Sequence, residues 1–225
     1  MKPLIETIQG IETLSVRAGQ GTGVVILHGY GANFRDLFPL WELWNTPGLD
    51  WYFPNGVLPL PMAYYEGRSW FSIDIEGLEK SIREGTHRQM AEVIPKEFDE
   101  TMSHMEKYLS ELATRHQRLI IGGFSQGAML SSHLAMKSSL PIVGLILMSG
   151  NLIASPRFPA QAKGLPFYQS HGSSDPVLGL EGAKDLEKKL LSLGFQGKLQ
   201  SFSGGHEIPP PVISGVKNFL KDFGA

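Results

Sequence analysis

Short β-branched and apolar runs alternate along this chain with longer stretches of helical period. That alternation restricts the fold more than any other feature. Residues 23–28 (GVVILH), 49–54 (LDWYFP), 118–124 (RLIIGGF), 142–148 (IVGLILM), 165–170 (LPFYQS) and 197–202 (GKLQSF) read as strands. Residues 11–17 (IETLSVR) alternate apolar and polar side chains, as a half-exposed strand does. Uniformly apolar runs such as 23–28 fit strands covered on both faces. Helices are expected over 33–44, 90–116, 126–138, 179–193 and 210–223. In the longest of these, Met90, Val93, Ile94, Phe98, Met102, Met105, Leu109 and Leu112 recur at steps of three and four, a core-packing stripe. Pro95 is expected to kink this helix or to lie within its first turn. Residues 56–77, rich in Pro, Gly and aromatics, read as a long loop of the kind that forms lids or binding surfaces. The pattern implies an α/β fold with a mostly parallel central sheet and helices on both faces. At 225 residues and 42% hydrophobic content the chain suits one sizeable core, hence a single domain spanning 1–225.

Several function classes are disfavoured by composition. With 20 Lys+Arg against 22 Asp+Glu and no block of like charge, nothing marks nucleic acid or an anionic membrane as a partner. The absence of cysteine removes disulfides, thiolate metal sites and a cysteine nucleophile. Met1 to Gly10 lacks the apolar core of a signal peptide, and no apolar run approaches the roughly 20 residues that span a bilayer. A cytoplasmic location is expected. There is no H-E-x-x-H and no tight His/Asp cluster, so neither a metal nor a cofactor is expected.

The chemistry-bearing pattern is Gly123-Phe124-Ser125-Gln126-Gly127, a G-x-S-x-G motif. By itself such a pentapeptide is weak, but here it closes an apolar strand and opens a helix. In that setting the glycines let the backbone turn sharply and Ser125 is thrust out beyond the sheet. A serine hydroxyl needs a base within hydrogen-bond reach. Of the seven histidines, His87, His104, His116 and His133 fall in or near helices, where surface or packing roles are expected. His28 and His171 sit at strand ends. His206, in Gly204-Gly205-His206-Glu207, follows the last strand and is the expected base. Asp175, in the 171–176 segment HGSSDP, follows another strand and is expected to orient the imidazole, with an ordinary Asp-Pro turn as the alternative reading of that segment. The order Ser…Asp…His is that of α/β-hydrolases. All three fall at the carboxyl ends of strands, which share one edge in a parallel sheet. The oxyanion donors are expected to be the backbone N–H groups of Gln126 and of Tyr30 in the Gly-rich loop 28–33.

The segments LHGYGAN, Trp70-Phe71, GGFSQGA, HGSSDPV and GGHEIP together resemble the acyl-protein thioesterase and phospholipase/carboxylesterase family of α/β-hydrolases, from about residue 23 onward. The resemblance implies a compact α/β-hydrolase fold without a large cap domain, and the triad Ser125, Asp175 and His206. It implies substrates with an acyl chain: carboxylic esters, lysophospholipids or S-acylated proteins. Val57, Leu58, Leu60, Met62 and Trp70, with Phe71, would then line an acyl groove. Relatives with exposed apolar loops raise the hypothesis of a weak homodimer. Ser72 stands where family members often carry Asp, and Gly150-Asn151 where they often place an aromatic, which puts the acyl specificity in question. Two alternatives remain: a dienelactone-hydrolase-like or peptidase-like activity on the same fold, and a silent hydrolase-like binding protein.

Overall fold

The computed structural model of the chain describes all residues except 1, 18, 20, 45, 61–65, 88–90, 92–93, 138, 154–163 and 225. Its strands are β1 (Leu4–Ile8), β2 (Ile11–Val16), β3 (Thr22–Leu27), β4 (Leu49–Pro54), β5 (Leu58–Pro59), β6 (Arg68–Ser69), β7 (Leu119–Phe124), β8 (Ile142–Met148), β9 (Pro166–Gly172) and β10 (Gln196–Phe202). Its helices are α1 (Leu40–Trp44), α2 (Ile75–Arg83), α3 (Phe98–Arg115), α4 (Gln126–Lys137), α5 (Leu180–Ser192) and α6 (Pro210–Leu220). Eight strands form one sheet in the order β1-β2-β4-β3-β7-β8-β9-β10. Every neighbouring pair from β4 to β10 is parallel, and only β1/β2 and β2/β4 are antiparallel. This is the mostly parallel α/β architecture that the alternation predicts, and it agrees with the α/β-hydrolase fold that the resemblance implies.

Strand period 2 divides the core into two layers. Val25, Leu27, Ile121, Leu145 and Leu147 face α3, α4 and α5. Val24, Ile26, Ile120, Ile146 and Met148, the intervening residues, face α1 and α6. Central strands covered on both faces are apolar at every position for this reason.

β3 and β7 pair in the middle of the sheet, yet the chain leaves them in opposite directions. From β3 it passes over one face through α1 to β4. From β7 it passes over the other face through α4 to β8. The departing loops part and leave a crevice at the carboxyl ends of these two strands, the place where parallel sheets bind ligands.

Four sequence expectations need correction. Residues 33–44 form a helix only over Leu40–Trp44. The helix expected over 90–116 begins at Phe98, because Pro95 lacks the N–H and disfavours helical backbone just before it. Ile94 is 59% exposed and so is no part of the core stripe, while Met90 and Val93 lie outside the described residues. β2 is nearly all buried rather than half-exposed, since it lies between β1 and β4. Its polar Thr13 and Ser15 bond to the Tyr108 hydroxyl (3.1 Å) and Glu6 Oε1 (2.9 Å). Within 56–77 the chain is more regular than a loop: β5 and β6 pair as an antiparallel ribbon, and α2 follows. Asp74 caps α2, its carboxylate accepting the Gly77 N–H at 3.0 Å.

The corrected start of α3 is testable by urea unfolding. Leu109→Ala should cost about 2–5 kcal/mol, as for a fully buried leucine, whereas Ile94→Ser should stay within about 0.5 kcal/mol of wild type.

Candidate active site

Ser125 sits between β7 and α4 with φ 55°, in the left-handed region. For a residue with a Cβ this conformation costs about 1–3 kcal/mol and persists only where surroundings hold it. Here they do. The Ser125 N–H donates to the Met148 carbonyl (2.9 Å), and its own carbonyl accepts from the Met129 N–H (3.1 Å). The turn also needs its flanking glycines. A Cβ on Gly123 would lie 2.5 Å from the Leu27 carbonyl oxygen, and one on Gly127 only 2.2 Å from it. The start of α4 thus packs directly on the end of β3.

His206 follows β10 and Asp175 follows β9. Their loops are sewn together by Ser173 N–H to the Phe202 carbonyl (2.8 Å) and Ser174 N–H to the Gly204 carbonyl (3.0 Å). The structure brings the three residues into one line. His206 Nε2 is 2.9 Å from Ser125 Oγ, and His206 Nδ1 is 2.6 Å from Asp175 Oδ2. An ionised carboxylate only accepts, so Nδ1 carries the proton and Nε2 is left to accept from the serine hydroxyl. The Phe124 ring, 4.7 Å from the imidazole centroid, supports His206 from one side.

Asp175 is buried, and burial pushes its carboxyl upward. The hydrogen bond from His206 and those from the Leu178 (2.9 Å) and Val177 (2.8 Å) N–H groups to Oδ1 outweigh that effect and hold it below the ordinary carboxylate range.

Tyr30 and Gln126 both border the space beside Ser125. Gln126 is the first residue of α4, so its backbone N–H has no intrahelical acceptor and lies at the positive end of the helix dipole. Its side chain has a second role that the sequence analysis missed. Oε1 accepts the Trp70 N–H (2.9 Å) and Nε2 donates to the Phe71 carbonyl (2.6 Å), which fixes the 70–71 segment against the serine turn. The loop carrying Tyr30 is fixed by His28. Its Nδ1–H donates to the Gly29 carbonyl (2.7 Å), Nε2 accepts the Gly56 N–H (2.9 Å), and burial pushes its pKa down to about 4. His28 is therefore a neutral strut.

The pocket against Ser125 measures about 100 Å³ and is mainly apolar, lined by Phe71, Ile73, Leu78, Met129, Val177 and Leu178. The expected groove residues fare unevenly. Phe71 lines the pocket. Trp70 is fully buried behind it, its indole N–H donating to the His28 carbonyl at 2.9 Å. Leu58 and Leu60, in and just after β5, do not line it. Met62 lies outside the described residues. Ile73 was legible only as part of the loop 56–77 and Leu78 fell in no expected element, while Val177 and Leu178 follow the Asp175 turn, whose carboxylate accepts both their N–H groups.

Among the described residues no helix is long and apolar enough to cross a membrane. A family model described as phospholipase/carboxylesterase matches residues 11–223. Acyl-protein thioesterase 1 of Eremothecium gossypii is 29% identical over 170 residues, covering 71% of this chain and 64% of that protein. The match to the Neurospora crassa acyl-protein thioesterase 1 spans 46% of that relative's length, and that to the Candida albicans one, 27% identical, spans 91%. In fold the chain is similar to a carboxylesterase from Mesorhizobium loti (TM-score 0.77, 20% identity, 98% of this chain and 99% of that one). It is likewise similar to Zea mays acyl-protein thioesterase 2 (TM-score 0.71, 22% identity, 93% and 97%). At these identities the structural likeness concerns the fold alone.

Two outcomes are expected. Gly123→Ala should lower stability by at least about 1–3 kcal/mol, read as an earlier urea midpoint, because the added methyl meets backbone that cannot yield. Folded Asp175 stays charged below the unfolded carboxyl range, so its contribution is complete above about pH 4 and lost as pH falls further. The stability gap between wild type and Asp175→Asn should therefore narrow as pH falls below about 4.

Proposed function

The chain belongs to the phospholipase/carboxylesterase family, and from that premise we propose that it is a serine hydrolase cleaving carboxylic esters or thioesters through an acyl-enzyme on Ser125. The observation that carries the reading is the hydrogen-bonded line from Ser125 through His206 to Asp175, built on a strained turn at the crevice.

Ser125 Oγ attacks the acyl carbonyl while His206 Nε2 takes its proton, and Asp175 stabilises the imidazolium that forms. The backbone N–H groups of Gln126 and Tyr30 receive the oxyanion. As the intermediate collapses, His206 returns the proton to the departing alcohol or thiol, leaving an ester on Ser125. Water, deprotonated by the same imidazole, then releases the acid and restores the hydroxyl.

The pocket of about 100 Å³ points to a short acyl group. Taking the roughly 30 Å³ that a water molecule occupies as a unit, it admits about three to four small groups.

With p-nitrophenyl esters, kcat/KM should rise from acetate to butyrate by up to about fourfold per buried CH₂ and fall beyond it. A flat profile, or one climbing through octanoate, would contradict the short-acyl reading. Ser125→Ala should lower kcat by about 10⁵–10⁶-fold, and a variant turning over at the wild-type rate would end the hydrolase assignment.

A further inference from the structure

Asp175 has a second histidine behind it. His171, near the end of β9, is completely buried. Its Nε2 is 2.7 Å from the Leu178 carbonyl and 3.4 Å from Asp175 Oδ2, the same oxygen that accepts the hydrogen bond from His206 Nδ1. A carbonyl only accepts, so Nε2 carries the hydrogen. Nδ1, the other ring nitrogen, is buried with no hydrogen-bond partner among the described residues. The titratable groups facing this ring are Asp175, His206 and His87, and burial keeps the ring neutral.

A buried imidazole with one nitrogen unsatisfied costs free energy that an apolar side chain of similar size would not. Something local must offset that cost, and the contacts show what. Leu178 accepts from His171 through its carbonyl and donates its N–H to Asp175 Oδ1. The backbone of one residue thus links the imidazole to the carboxylate. The Nε2–H of His171 also lies 3.4 Å from Oδ2, off-line for a hydrogen bond but close enough to stabilise negative charge there. A neutral donor does this without cancelling the charge that His206 needs. A lysine or arginine at this place would compete with the imidazolium for the carboxylate.

We propose that His171 is a positioning residue for the reaction: through Leu178 and the Oδ2 atom of Asp175 it fixes the carboxylate in the orientation that holds His206 toward Ser125. The inference rests on the hydrolase reading of Ser125, and the loss of turnover in Ser125→Ala tests that reading separately.

The test compares His171→Gln with His171→Met, side chains of similar size. The glutamine amide nitrogen lies as many bonds from Cα as Nε2 does and keeps a donor, and methionine has none. On p-nitrophenyl butyrate, His171→Met should lower kcat about tenfold to a hundredfold with KM within about twofold. That loss is well short of the roughly 10⁴-fold cost of placing the base in the wrong tautomer. The acid limb of its kcat/KM profile should move to higher pH, because a less stabilised carboxylate favours imidazolium more strongly. His171→Gln should restore kcat to within about threefold of wild type and return the acid limb to its place. Equal kcat in the two variants, or a loss in His171→Met with an unmoved acid limb, would overturn the proposal. If His171→Met does not fold, His171→Gln decides alone. A folded glutamine variant with near-wild-type kcat and acid limb supports the role, and a folded one that has lost kcat overturns it. Failure of this comparison while Ser125→Ala is inactive would remove the role of His171 and leave the hydrolase reading standing.

Discussion

The close backbone contact between the end of β3 and the first turn of α4 is the constraint on which the rest of the site depends. Gly123 and Gly127 both press on the Leu27 carbonyl, and no side chain fits at either place. That contact holds Ser125 in its left-handed conformation and turns its hydroxyl out of the sheet. It also brings the loop after β3, with Tyr30, beside the first N–H of α4. The serine and the two N–H groups proposed as oxyanion donors thereby share one piece of geometry. The strain at Ser125 is held by a core that is buried on both faces of β3 and β7.

Around that contact the polar groups are arranged so that each reactive atom is oriented by a neighbour that does not react. Gln126 holds the 70–71 segment, His28 holds the turn beneath Tyr30, and the Val177 and Leu178 amides hold Asp175. These supports are buried, where a hydrogen bond is stronger and an unmade one more costly. They leave His206, partly exposed, as the group able to exchange protons with substrate and water.

Much of this architecture was legible in the sequence because period and punctuation report burial. The uniformly apolar runs at 23–28, 119–124 and 142–148 could belong only to covered strands. The glycines around Ser125 marked a turn that no other residue permits. Asp175 and His206, singled out by chain order and by their place after strands, are brought to Ser125 by the fold. The pocket was harder to read. Leu58 and Leu60 sit in an apolar segment and looked like its walls, yet neither lines the pocket at Ser125. Val177 and Leu178 reach the serine only because the Asp175 carboxylate bends the chain back on itself, a tertiary effect with no sequence period. The start of α3 was misplaced because Ile94 continues the helical pattern by chance on the far side of Pro95. The roles of His28 and His171 depend on distances across the fold that no spacing encodes.

Helix α2 contributes a wall of the pocket through Leu78 but has no buried residue of its own. Little of the free energy of folding therefore depends on which side chains it carries. Substitutions there can accumulate in a lineage without passing through unstable intermediates, and each one reshapes the space open to the acid. Ester preference in such a chain is free to drift among descendants while the serine turn and its glycines stay fixed, so closely similar sequences with the same machinery need not share a substrate.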